Sequence, residues 1–162
     1  MKKVAIVMGS KSDLEVVKPT ISILKEFGIE SIVRVISAHR TPEEAAEFAK
    51  SAKENEIGCF ICAAGKAAHL GGVIAAYTCL PVIGLPVKSS TMDGLDSLLS
   101  MVQMPSGVPV ATVAINGGLN AGLLAVQILA VGDEGLTSKL VEYKNKIKEE
   151  TILADKAIQD LI

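Results

Sequence analysis

A chain of 162 residues with a net charge of −2 is long enough for one domain, whose folding buries about 70% of the unfolded surface without a disulfide or metal staple. A pI near 5.7 and the lack of a basic stripe exclude a general nucleic-acid binder. Mean hydropathy of +0.43 is high for a small soluble monomer, yet no apolar run is long enough to span a bilayer, so the excess implies a deeply buried sheet, a subunit interface, or both.

Met1-Lys2-Lys3-Val4 leads directly into an apolar run, Val4–Met8, without the small-residue cleavage site of a signal peptide, and a cytoplasmic location is expected. The run lacks alternation, as in a strand covered on both faces. Gly9–Asp13 turns the chain, Ser12 or Asp13 is expected to cap a helix reaching Phe27, and Gly28 ends it. A second strand over 29–36 leads into Ser37-Ala38-His39-Arg40-Thr41-Pro42. There Thr41 suits an N-cap, Pro42 the first helical position, and Glu44 the far side of a capping box. The helix that follows is predicted to run to Asn55.

A third strand over 57–64 carries Cys59 and Cys62, which as an i, i+3 pair face opposite sides of the sheet. With three cysteines in all and no second pair to complete a zinc site, they read as structural thiols. The third turn starts at Gly65, with a small-residue helix over 67–77. A fourth strand (81–85), a polar loop (86–93), a helix (94–102), a break at Met104–Gly107, a fifth strand (108–115) and a helix (120–131) follow. This alternation predicts right-handed crossovers and one parallel sheet between helical layers, all within a single domain over 1–162. Residues 133–162 stand outside it. Their mostly helical spacing of apolar residues predicts a helix roughly 40 Å long, more than a small domain needs, and hence an arm laid on a neighbouring subunit.

The turns after the first three strands share the edge where open α/β sheets bind ligands. The first offers Ser10, Ser12 and Asp13 beside a helix start, suited to phosphate and sugar hydroxyls. The second offers Ser37, His39 and Arg40. The third, Gly65-Lys66-Ala67-Ala68-His69-Leu70-Gly71-Gly72, is thin enough for a ligand to approach its backbone. Both histidines of the chain fall in these turns, one able to shuttle protons beside a guanidinium that grips anions. A P-loop, a dinucleotide fingerprint and a nucleophile elbow are all missing. Standard metal spacing is missing too, and aromatics are only 3% of the chain, with no Trp to sandwich a flavin. What remains is acid–base work on a small, anionic, phosphate-bearing molecule.

Met8-Gly9-Ser10-Lys11-Ser12-Asp13, Ser37–Pro42 and Ala67-Ala68-His69-Leu70 resemble the signature turns of the PurE family. The likeness continues through Pro81–Pro86, Asp96-Ser97-Leu98, Val102–Pro105 and Asn120-Ala121-Gly122, covering about residues 3–131. It implies a flavodoxin-like three-layer fold with a five-stranded parallel core and a long C-terminal helix, assembled as a homo-octamer. It also implies a place in purine biosynthesis, as the N5-carboxyaminoimidazole ribonucleotide mutase branch, using no metal, ATP or organic cofactor. By the same resemblance Ser10, Asp13 and Arg40 bind the ribonucleotide, with Ser12, Ser37, Gly65, Ala67, Ala68 and Leu70 around it. His39 matches the acid–base residue and His69 a second active-site histidine.

Two positions depart from that branch: Lys66 stands where Gly is common and Gly71 where Pro is usual. Lys66 is expected to leave its turn into solvent, the alternative being a cation beside the transferred carboxylate. The family's carboxylase branch, which takes up carbon dioxide directly, is the second reading, though it typically has Ser-Asn at Ala67-Ala68 and lacks His69. A non-catalytic flavodoxin-like module is the third. Its receiver form needs an acidic cluster after the first strand, where this chain has Asp13 alone.

Overall fold

The computed structural model describes residues 2–161, so the last position of the expected arm, Ile162, lies outside the described residues. Five strands form one parallel sheet: β1 (Lys3–Met8), β2 (Ser31–Val35), β3 (Ile57–Gly65), β4 (Val82–Val87) and β5 (Ala111–Thr112). Their order is β2-β1-β3-β4-β5, the flavodoxin-like doubly wound order with its switch point between β1 and β3. The intervening helices are α1 (Leu14–Glu26), α2 (Pro42–Lys50), α3 (Leu70–Tyr77), α4 (Leu95–Val102), α5 (Gly118–Ala130) and α6 (Glu134–Gln159).

The period-2 pleat divides the sheet's side chains between two cores. Val4, Ile6, Met8, Cys59, Ile61 and Ala63 face α1 and α5, while Ala5, Val7, Phe60, Cys62 and Ala64 face the layer of α2, α3 and α4. Cys59 and Cys62 thus lie on opposite faces, as their spacing predicts. Burial pushes the Cys59 thiol up to about 12 and the Cys62 thiol upward too, which leaves both without thiolate chemistry. Gly118 and Gly122 let α5 sit against α1: a Cβ on Gly118 would stand 2.2 Å from the Val16 carbonyl oxygen. Thr20, fully buried, seals the contact by donating to the Gly118 carbonyl at 2.7 Å.

Several boundaries differ from the periodicity, for local reasons. β5 has two residues rather than the eight of 108–115, since Pro109 offers no N–H to a ladder and the strand lies on the sheet edge. α2 stops at Lys50, where Ser51 donates to the Phe48 carbonyl and Asn55 to that of Ser51, closing turns instead of helix. α3 starts at Leu70, because Lys66 takes a left-handed φ of 57°. The expected capping box at Thr41 and Glu44 does not form. Thr41 Oγ1 instead accepts from the Ser37 N–H at 3.0 Å and donates to the Ser37 carbonyl at 3.1 Å, closing the turn before the helix. A capping box occurs one turn away, where the Asp13 carboxylate accepts from the Ser10 N–H at 3.0 Å and Ser10 Oγ accepts from Ser12 N–H.

α6 extends 26 residues, about 39 Å at 1.5 Å per residue. Its first turns are anchored by buried Leu136 and by Leu140 and Tyr143, packed on the α1–α5 core. Beyond Tyr143 every described residue of the helix is exposed on the single chain, Ile147, Ile152, Leu153 and Ile158 included.

Candidate active site

On the carboxyl edge of the sheet, the turns after β2, β1, β3 and β4 stand side by side in the order of their strands. Between them opens a cleft of about 560 Å³.

The β1 turn supplies Gly9, Ser10, Ser12 and Asp13 to its wall. Asp13 is only 7% exposed, and this burial raises its carboxyl above the ordinary 3.8, against the opposing pull of the Ser10 N–H, the Ser12 hydroxyl and the Arg40 guanidinium. The β2 turn supplies Ser37, Ala38, His39 and Arg40. Arg40 crosses to the first turn. One Nη2 N–H donates to the Gly9 carbonyl at 2.9 Å and Nε–H donates to Ser37 Oγ at 3.3 Å, leaving the rest of its five-donor fork for an anion.

His39 lies across the β1 turn from His69, at the start of α3. His39 Nε2 and His69 Nδ1 form a hydrogen bond of 2.9 Å, with the rings edge to face at 77°. One nitrogen of the contact carries the proton and the other accepts it, so the state of one ring dictates the tautomer of the other. The pair joins residues 30 apart in sequence.

The β3 turn brings Ala64, Gly65, Lys66, Ala67 and Leu70 to the wall. Ala68 does not line it: the side chain is 1% exposed and belongs to the core beneath the turn. His69 is not part of the wall either and reaches it through His39. Lys66 is exposed, as expected for a side chain leaving the turn, and the residue is also among those that line the cleft. Its φ of 57° costs a residue with a Cβ about 1 kcal/mol or more, which accounts for glycine being the easier choice there. At Gly71, a Cβ would make ordinary contacts of 3.5 Å with Val110 and 3.7 Å with Cys62.

A fourth wall, Val87, Lys88 and Ser89, comes from the segment expected as a polar loop and not among the expected site residues. Its position after a strand of the same parallel sheet was the available signal. The wall is firmly held. Buried Ser97 donates to the Val87 carbonyl at 2.9 Å, Ser89 donates to the Asp96 carboxylate at 3.1 Å, and the Lys88 N–H donates to Asn116 Oδ1 at 2.8 Å.

A doubly wound sheet whose ligand edge joins a histidine pair to an arginine fork and a capped serine turn defines an α/β protein with a candidate acid–base site. The sequence model of the family described as AIR carboxylase matches residues 3–150, and the chain belongs to that family, PurE. The Thermotoga maritima protein named N5-carboxyaminoimidazole ribonucleotide mutase is 54% identical over 94% of this chain and 89% of its own length. The Vigna aconitifolia protein named phosphoribosylaminoimidazole carboxylase, chloroplastic, is 53% identical over 88% of this chain, which corresponds to 26% of that longer protein. The crystal structure of Treponema denticola PurE superposes with a TM-score of 0.88 at 30% identity, covering 96% of this chain and 98% of its own. Family and relatives make the chain an enzyme, of the isomerase class, and set aside the non-catalytic module.

Proposed function

We propose that this enzyme serves purine biosynthesis by converting N5-carboxyaminoimidazole ribonucleotide to 4-carboxyaminoimidazole ribonucleotide. The observation that carries the reading is the 2.9 Å His39–His69 hydrogen bond at a cleft that also holds the Arg40 fork. The names of relatives about half identical to this chain supply the substrate.

In this reading Arg40, Ser10 and Ser12 take the phosphate, with Asp13 on the ribose hydroxyls. Ser37, Gly65, Ala67 and Leu70 shape the space around the ring. His39, protonated, gives its proton to the exocyclic nitrogen as the N–C bond to the carboxyl group breaks, releasing carbon dioxide and the free amine. The ring carbon C4 then attacks the trapped carbon dioxide, forming the C–C bond. His39, now neutral, removes the C4 proton, which restores the aromatic ring and the starting protonation state. The proton lost in the first half returns in the second, so the turnover needs no net proton. His69 holds His39 in one tautomer through the shared hydrogen bond. Confinement does the remaining work, because carbon dioxide that leaves the cleft is lost to the reaction.

The reading also includes a cytoplasmic enzyme assembled as a homo-octamer. The unburied apolar residues of α6 beyond Tyr143 support assembly, and among the described residues no helix is long and apolar enough to cross a membrane.

The test supplies the N5-carboxylated ribonucleotide in one arm and the uncarboxylated ribonucleotide with bicarbonate in the other, both at low concentration. Fast product formation is expected in the first arm. Fast formation in the second arm alone establishes direct carboxylation instead.

A further inference from the structure

The cleft carries cations at both ends. With strands about 4.8 Å apart, the β2 and β4 turns are separated by about 14 Å, three steps of the sheet. Arg40 stands at the β2 end, tied to Gly9 and Ser37. At the other end the lining residues include two lysines, Lys66 from the β3 turn and Lys88 from the β4 turn.

The two lysines are not equivalent. Lys88 is committed: its Nζ pairs with Asp93 at 3.1 Å, and its N–H is held by Asn116. Lys66 makes no ion pair among the described residues. It also occupies a left-handed backbone position, φ 57°, in which a glycine would sit without strain. Gly65 beside it packs close to the β4 turn, where an added Cβ would lie 3.2 Å from the Val87 carbonyl oxygen. The amino end of α3, whose first residue Leu70 also lines the cleft, adds partial positive charge at the same end. Glu56, Met92, Asp93 and Asn116 share the positive φ, but of these five residues Lys66 alone is among those lining the cleft.

We propose that Lys66 forms a carboxylate subsite at the β3–β4 end of the cleft, holding the migrating carboxyl group while Arg40 holds the phosphate at the other end. The subsite rests on the functional reading above and extends it to a residue that the reading leaves without a role. The ammonium retains the group by charge through both bonded states. The cation thus adds affinity for the carboxylated ribonucleotides and little for the uncarboxylated one.

The experiment compares wild type with Lys66→Gly, which removes both strain and charge, and Lys66→Met, which removes the charge and keeps the length. Calorimetry measures binding of 4-carboxyaminoimidazole ribonucleotide and of the uncarboxylated ribonucleotide, and urea unfolding measures stability. Both variants are expected to bind the carboxylated ligand about tenfold or more weakly, as for a lost charged hydrogen bond, with under about a twofold change for the other ligand. Lys66→Gly is expected to unfold at a urea concentration no lower than wild type, which separates the binding loss from damage to the fold. Equal changes for both ligands, or none, overturn the subsite and leave the functional reading standing. A wild-type chain that binds neither ribonucleotide overturns both.

Discussion

His39 and Asp13 show how differently two polar residues of one cleft are placed. His39 is exposed and joined to His69, so replacing it by Asn keeps a polar group of similar reach and removes the titrating ring. His39→Asn is expected to lower kcat by about 10²–10⁴-fold, the usual worth of a general acid–base group, while product binding stays within a few-fold. Near-normal turnover would remove His39 from the proton transfers. Asp13 is buried, and desolvation raises its pKa in the folded chain. A raised folded value means that its favourable contribution is complete below the ordinary 3.8 and is lost as pH rises through the folded value. Asp13→Asn has no charge to desolvate and keeps an acceptor for the Ser10 N–H. Its urea midpoint, relative to wild type, is therefore expected to rise between pH 4 and pH 7, at the expense of ribonucleotide binding. A relative midpoint that falls over that range would show that the ionised carboxylate is net stabilised.

At the level of elements, the α1–α5 contact controls how the first turn is presented. α1 begins at Leu14, directly after the Ser10–Asp13 box, and α5 lies against it through Gly118 and Gly122. A Cβ on Gly122 would stand 2.3 Å from Ile23 Cγ2, with Thr20 backbone atoms at 3.2 and 3.4 Å. Gly122→Val is expected to destabilise the fold by about 1–3 kcal/mol through overpacking, read as a lower urea midpoint with an unchanged slope. A neutral result would mean that the helices separate without cost. The motif Asn120-Ala121-Gly122 was legible as a sequence pattern, but its reason is this close approach, which no local periodicity displays. The β4 turn is similar: Asp96 and Ser97 were visible as a motif, whereas their bonds to Ser89 and Val87 depend on α4 folding back beneath the loop.

For the whole molecule, α6 carries the main prediction. Its first turns suffice to cover the α1–α5 core through Leu136, Leu140 and Tyr143, and the remaining turns place Ile147, Ile152, Leu153 and Ile158 outside it. A chain ending after Lys146 keeps its own core contacts. It is expected to retain the helical and sheet signals of the remaining residues but to sediment as a smaller assembly, with an unfolding midpoint that depends on concentration. An unchanged assembly would place the subunit contacts elsewhere, for instance on exposed Leu95, Leu99 and Val102 of α4.

By itself the sequence determined the alternation of strands and helices, the helix start at Pro42, the opposite faces of Cys59 and Cys62, and the three motif turns with their family. Each of these depends on residues within a few positions of one another, where pleat, helical period and backbone φ act. Only the tertiary structure decided which turns meet. The strand order puts β1 between β2 and β3, so that His39 reaches His69 and Arg40 reaches Gly9. It also brought Val87–Ser89 to the cleft and placed Lys66 on its wall. The reason is that strand order follows from right-handed crossovers and from burying both faces of the sheet, terms that belong to the packed chain as a whole rather than to any one segment.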